Sequence, residues 1–166
     1  KDFVLHQMAE KKNPRTRAFW QEELDGYKRL SLANPTAEPP ASGGASIRSR
    51  TIDLGAHRLS QLEQLPALGG IGLKDTCFAA YLYMMSMLSY DKDIVVGLVT
   101  HNRPLIEYAD KVLGCFLNTI PFRLTIPPGV TWGALIHRVS EKMTALKAFD
   151  RLSLFEIASL THEKST

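Results

Sequence analysis

The sequence is poor in the residues from which metal and redox sites are built. It has two cysteines, Cys77 and Cys115, and no Cys-x-x-Cys, which argues against a zinc site or a redox motif. Both cysteines have apolar sequence neighbours, where a thiol behaves as a small hydrophobic group, and we expect no disulfide between them. None of the five histidines pairs with another at the spacing of helical metal ligands. We therefore predict no metal site.

Features of membrane, nucleic-acid and nucleotide-binding proteins are equally scarce. The longest apolar run, at 77–88, is too short and too mixed to cross a bilayer, and no signal peptide is visible. Lys and Arg are scattered without interleaved aromatic residues, although the net charge is +3. The Gly-Gly-Ile-Gly turn at 69–72 lacks the Lys-Ser/Thr of a phosphate-binding loop. We expect a cytoplasmic protein that binds neither membranes nor nucleic acid.

What remains is the composition of an ordinary globular lobe. Of the 166 residues, 45% are apolar and 22% are charged, which is enough to bury a core. A chain of this length makes one domain, or one lobe of a larger domain. The chain starts with Lys1 instead of methionine, and we expect it to be a piece of a longer protein.

Caps and apolar periodicity predict several helices. Asn13 precedes a proline at the first helical position, and Gly26 is a typical helix stop. Thr131 caps a later helix whose apolar residues repeat every three or four positions. The helix at 74–90 is apolar on most of its circumference, which predicts burial all round. Shorter helices are expected at 57–65 and 154–160, and a Pro- and Gly-rich loop at 33–44.

Three segments are predicted to be strands. Residues 47–54 carry a basic face with Arg48 and Arg50. Residues 93–99 are continuously apolar, which is typical of a central strand with both faces covered. Residues 119–126 alternate strictly between apolar and polar side chains, which predicts a half-buried strand, and its proline favours an edge or a strand start. The predicted fold class is α/β: a mixed β-sheet flanked by helices.

Two polar residues beside the predicted strands are candidates for ligand contacts. His101 follows the strand at 93–99, where α/β folds place ligand-binding residues, but it could also be a partly exposed turn residue. Asn118 comes just before the strand at 119–126, and its carboxamide could face a cavity or hydrogen-bond its own turn. No catalytic trio can be assigned without geometry.

Several of these segments resemble the motifs of the condensation domains of nonribosomal peptide synthetases. Gly-Cys-Phe-Leu-Asn-Thr at 114–119, followed by Arg123, is similar to the family's Gly-x-Phe-Val-Asn-Thr motif. Asp-Ile-Val-Val-Gly at 93–97, followed by Asn-Arg-Pro at 102–104, resembles the family's strand and turn. The other similar segments, in the family's order, are Asp2-Phe3 to Gln7, Phe19-Trp20 with Leu24, and Phe155-Glu156.

The sequence also departs from the family pattern. His6 stands where the family has Trp, and Leu154 stands where it has Pro. The family's His-His-x-x-x-Asp-Gly motif does not occur here; in the family it lies in the preceding lobe. The resemblance implies that residues 1–166 are the C-terminal lobe of a condensation domain, similar to chloramphenicol acetyltransferase and ending before the family's last motif. It implies that this chain holds no catalytic residue.

Condensation domains join an acyl or peptidyl thioester on one carrier protein to the amine of an aminoacyl thioester on the next. The resemblance implies positioning roles for Asn118 and Thr119 beside the substrate tunnel, and for His101, Asn102 and Arg103 near its acceptor side. It implies no directly bound cofactor, only the phosphopantetheine arms of upstream and downstream peptidyl carrier proteins. The N-terminal lobe of the same domain and an adjacent adenylation domain are the other implied partners.

Two alternatives remain open at this level. The chain could belong to a stand-alone acyltransferase of the same superfamily that uses coenzyme A or another free acceptor. It could also be a non-catalytic docking lobe whose basic face, with Arg48 and Arg50, meets an acidic carrier protein. Epimerising relatives share the fold but tend to lack the Asn-Thr pair, so Asn118 and Thr119 favour condensation.

Overall fold

The computed structural model describes residues 2–32, 49–64, 71–103 and 107–161. Two strands in this part of the chain form an antiparallel sheet, whose register runs from Asp93 opposite Thr125 to His101 opposite Leu117. In chain order the elements are helices α1 (Asp2–Lys12), α2 (Pro14–Glu23), α3 (Gly55–Gln64) and α4 (Leu73–Ser89), strands β1 (Asp93–His101) and β2 (Leu117–Thr125), and helices α5 (Trp132–Leu146) and α6 (Leu154–Leu160).

Side-chain caps fix the starts of three helices. The Asn13 side chain accepts a hydrogen bond from the backbone N–H of Arg15 at 3.0 Å, directly before the proline that opens α2. The Thr131 hydroxyl accepts from the N–H of Ala134 at 3.3 Å at the start of α5. A capping box opens α6. These bonds satisfy N–H groups that have no partner within the helix, and the helices predicted from local caps and periodicity are confirmed.

The core lies between one face of the sheet and the helices. Helix α4 packs on β1 and α5, while α6 packs on β2 and α2. The alternation predicted for β2 is confirmed, because its apolar side chains point into the core and Thr125 points outward. The largest fully buried side chains include Trp20, Leu82, Ile94, Ile120, Phe122, Leu135, Leu146 and Ile157.

The strand predicted at 47–54 is wrong for the residues that the structure describes. Residues 49–54 form no strand and are exposed, while Arg48 lies outside the described residues, as does the loop predicted at 33–44. The Asp53 carboxylate accepts a hydrogen bond from the N–H of Gly55 at 2.8 Å, which turns the chain into α3. Such side-chain bonds to the backbone compete with sheet pairing.

The predicted burial of α4 and β1 on all sides is also wrong within the described residues. Ala79, Leu82 and Met85 face the core, but Met87 on the same helix is 60% exposed. In β1, Val99 is 57% exposed. A continuous apolar run reveals how hydrophobic an element is and leaves open which segments cover it. In the described part of the chain, each element packs on one side only.

Candidate functional site

The sheet brings the predicted site residues together at one end. The register places Thr100 opposite Asn118 and Val99 opposite Thr119. His101 is the last residue of β1, and the backbone N–H of Asn102 donates to the carbonyl of Phe116 at 2.8 Å. The two motifs that stand about 20 residues apart in sequence are therefore neighbours across the first pairs of a β-ladder.

Asn118 anchors a third segment to this end of the sheet. Its side-chain Nδ2 donates to the carbonyl of Asp150 at 2.7 Å and to that of Leu152 at 2.8 Å. A carboxamide has two N–H donors, so both are engaged by the turn between α5 and α6. These bonds run to a segment more than 30 residues away instead of to the residue's own turn. A ligand contact by Asn118 would therefore use its side-chain oxygen.

Asn102 binds the same turn. Its Nδ2 donates to the Asp150 carbonyl at 2.7 Å, so that one carbonyl oxygen accepts from two asparagine side chains. The Asp150 carboxylate is buried and accepts from Lys147 Nζ at 2.7 Å. Sequence reasoning missed Asp150 and Lys147. A lysine and an aspartate three residues apart at a helix end look like a surface ion pair, and nothing local signals their contact with Asn102 or Asn118.

Arg103 orders the segment between the two strands. Its guanidinium lies 4.4 Å from the centre of the Phe116 ring, a stacked cation–π geometry. Its Nη1 donates to the carbonyls of Ala109 and Val112. These contacts hold the part of the connection that the structure describes against the start of β2, so much of the donor capacity of Arg103 is spent within the protein.

His101 and Thr119 differ in their surroundings. The His101 side chain is exposed, and its backbone carbonyl accepts from Lys147 Nζ at 3.1 Å. Thr119 is half-buried, and its Cγ2 lies 3.1 Å from where a Cβ on Gly97 would sit. The glycine of the Asp-Ile-Val-Val-Gly segment is thus explained by close approach of the Thr119 methyl group across the ladder.

At the opposite end of the sheet, Arg123 ties β2 to β1 and α2. Its Nε lies 3.1 Å from both carboxylate oxygens of Asp93, and its Nη2 lies 2.8 Å from Oδ2. Its Nη1 donates to the carbonyls of Glu23 and Asp25 at 3.0 and 2.7 Å. The hydrogen bonds from Arg123 lower the pKa of Asp93 below its ordinary value of 3.8, and the same contacts raise the pKa of Arg123.

This ion pair predicts a pH dependence of stability. Because the pKa of Asp93 is lower in the folded state, its contribution is complete above the unfolded value of about 4. It is lost as the pH falls through the folded value. Asp93→Asn should therefore lose less stability than the wild type between pH 7 and pH 3, measured as the shift in urea midpoint. Equal shifts would contradict this role.

An open cavity of about 690 Å³ lies beside Arg123, between α2, β2 and α5. Its charged lining is partly neutralised, since Lys142 Nζ lies 2.6 Å from the Glu23 carboxylate. None of the five predicted site residues lines it. Its mixture of cationic and anionic side chains selects no particular ligand, so the end of the sheet that carries Asn118 remains the candidate site.

Metal ligands and membrane spans were searched for in the described ranges. Those ranges contain no group of three or more His, Cys, Asp or Glu residues that could hold a metal ion. Among the same residues, no helix combines the length and apolar character needed to cross a bilayer. Cys77 and Cys115 are both exposed thiols, so the apolar sequence around them does not place them in the core.

The fold and the site define a class of protein: a mixed α/β lobe in which the start of β2, the end of β1 and the α5–α6 turn are joined by asparagine side chains. The profile of the family described as "Condensation domain" matches residues 1–166. The chain therefore belongs to the condensation-domain family.

Curated relatives agree with this family. The chain is 30% identical over 164 residues to the AMB antimetabolite synthetase AmbE of Pseudomonas aeruginosa, which covers 99% of this chain and 7% of that protein. It is 34% identical over 133 residues to a linear gramicidin synthase of Brevibacillus parabrevis, or 80% of this chain and 2% of that protein. The chain thus spans a small fraction of the length of these relatives.

Solved structures share the fold. The first condensation domain of the calcium-dependent antibiotic synthetase, in complex with a substrate analogue, superposes with a TM-score of 0.78 at 21% identity, covering 99% of this chain and 38% of that one. A four-domain nonribosomal peptide synthetase bound to AMP and glycine gives a TM-score of 0.75 at 19% identity, covering 91% of this chain and 11% of that one.

Proposed function

We propose that this chain is the C-terminal lobe of an amide-forming condensation domain in a nonribosomal peptide synthetase, ending before the family's last motif. The observation that carries the proposal is the Gly-Cys-Phe-Leu-Asn-Thr segment at the start of β2, whose Asn118 lies beside the end of β1. In the proposed reaction, an amine nitrogen attacks a thioester carbonyl. A C–N bond forms, the C–S bond breaks, the amine loses a proton and a thiol is released.

The residues of this chain have positioning roles in the proposal. Asn118 and Asn102 hold the α5–α6 turn against the sheet and so shape one wall of the substrate tunnel. Thr119 and His101 lie beside them, and Arg103 orders the connecting segment. Holding the two thioesters in a reactive geometry supplies a large part of the rate enhancement in such a transfer. The catalytic histidine motif belongs to the N-terminal lobe.

The partners follow from the same proposal. Upstream and downstream peptidyl carrier proteins present the substrates on phosphopantetheine arms, and an adenylation domain of the same assembly loads them. The N-terminal lobe completes the domain. The names of the relatives support this setting, since they are synthetases, and one solved structure with this fold belongs to a four-domain synthetase bound to AMP and glycine. A cytoplasmic location is part of the proposal.

The test compares the full-length protein with the 166-residue chain. Each is incubated with a donor and an acceptor carrier protein loaded with thioesters, and the carriers are analysed by intact mass spectrometry. We expect dipeptidyl thioester from the full-length protein and none from the chain alone, because the chain lacks the family's His-His-x-x-x-Asp-Gly motif. Product from the chain alone would overturn the lobe assignment; no product from the full-length protein would overturn the function.

The alternative of a docking lobe gains no support from the described residues. It depended on a basic strand face with Arg48 and Arg50, but residues 49–54 are not a strand. No observation favours a stand-alone coenzyme A-dependent transferase either. In the test above, transfer to free amines or from acyl-coenzyme A without carrier proteins would favour that alternative.

A further inference from the structure

One ammonium group joins the end of β1 to the turn after α5. Lys147 Nζ lies 2.7 Å from Asp150 Oδ2, 3.1 Å from the carbonyl oxygen of His101 and 3.5 Å from Asn102 Oδ1. The Asp150 residue is only 2% exposed. A buried carboxylate is costly unless it is paired and hydrogen-bonded, so the position of Asp150 depends on this ammonium.

Asp150 transmits this constraint to the candidate site. Its carboxylate binds Lys147, while its carbonyl oxygen accepts from the side chains of Asn102 and Asn118. A rotation of the Asp150 backbone would therefore weaken the bonds of both asparagines at once. Hydrogen bonds that share a centre in this way are coupled.

We propose that Lys147 and Asp150 are positioning residues for Asn102 and Asn118, and that their ion pair sets the geometry of the wall these asparagines form. The proposal rests on the proposed function for its consequence in catalysis. It also makes a structural statement that holds independently: the order at the start of β2 depends on a lysine at the end of α5.

A second ion pair on α5 provides a matched control. Lys142 Nζ lies 2.6 Å from Glu23 and ties α5 to α2, at the opposite end of the sheet from Asn118. Both lysines sit on or next to the same helix, and each contacts a carboxylate with low exposure. Lys142→Met removes a comparable ion pair without touching either asparagine, whereas Lys147→Met removes the proposed constraint.

The experiment uses the full-length protein and three variants: Lys147→Met, Lys147→Arg and Lys142→Met. Hydrogen exchange at 101–103 and 117–119 is measured together with kcat and the KM for the acceptor carrier. For Lys147→Met we expect exchange in both segments to be about tenfold faster, since local opening becomes easier. We expect kcat to fall about tenfold with KM within about twofold, because a small misplacement of positioning groups slows the chemical step.

The other variants and the outcomes decide between the possibilities. Lys147→Arg keeps the positive charge and should recover most of kcat, while Lys142→Met should leave kcat and exchange at 117–119 near wild type. Unchanged exchange in Lys147→Met overturns the inference. Faster exchange with unchanged kcat also overturns it, because the pair would then be structural only. If the wild type forms no amide, the proposed function fails, and the exchange measurement alone decides whether Lys147 orders the asparagines.

Discussion

Replacing Trp20 with alanine is expected to lower the free energy of unfolding by about 3–5 kcal/mol, the usual range for a buried aromatic side chain. Trp20 is fully buried and packs edge-to-face on Phe19, with ring centres 5.2 Å apart. Its indole Nε1 donates to the carbonyl of Phe149 at 3.2 Å. Truncation therefore leaves a large cavity and removes the donor to a carbonyl on the other side of the core.

The second tryptophan of the chain serves as the control. Trp132 opens α5, is 54% exposed and contacts the Tyr83 ring at 4.9 Å. Trp132→Ala is expected to change stability by less than about 1 kcal/mol, as surface substitutions usually do. Chemical unfolding followed by circular dichroism measures both variants without depending on tryptophan fluorescence. Equal losses in the two variants would show that α2 does not contribute to the core as described.

The parts of the fold that were predictable are those encoded by short-range patterns. Asn13 and Thr131 cap helices through bonds to residues two and three positions away, so the cap and its helix are visible in a short window. The alternation in β2 is equally local, because successive side chains of a strand must point to opposite faces. The antiparallel pairing of β1 with β2 then follows from their short connection.

The contacts that build the candidate site were not predictable in this way. Asn118 and Asp150 are joined by a bond that spans 32 residues, and the ion pair of Lys147 is indistinguishable in sequence from an exposed one. The apolar circumference of α4 was visible, but its exposed Met87 shows that the sequence does not say which segments cover each face. Motif similarity located Asn118, whereas the fold showed what its side chain binds.

Replacing Asn118 with alanine in the full-length protein is expected to slow amide formation by about 100-fold, the cost of misplacing a reactive arrangement by roughly 1 Å. The variant removes the donors to the Asp150 and Leu152 carbonyls, which lie at 2.7 and 2.8 Å. Leaving these half-buried carbonyls short of a donor is expected to cost about 1–3 kcal/mol of stability. Rate and stability are measured on the same preparation, by dipeptidyl thioester formation and chemical unfolding.

A variant of similar stability cost separates positioning from general weakening. Thr131→Ala removes the cap of α5, whose hydroxyl accepts at 3.3 Å, and should cost about 1 kcal/mol. Because this cap makes no contact with Asn118, amide formation should stay within about twofold of the wild type, well inside the roughly 100-fold expected for misplacement. Asn118→Asp keeps the shape of the side chain but lacks both N–H donors, so it should be as slow as Asn118→Ala. If Asn118→Ala is no slower than Thr131→Ala, the hydrogen bonds to the α5–α6 turn do not hold the tunnel wall in its reactive geometry.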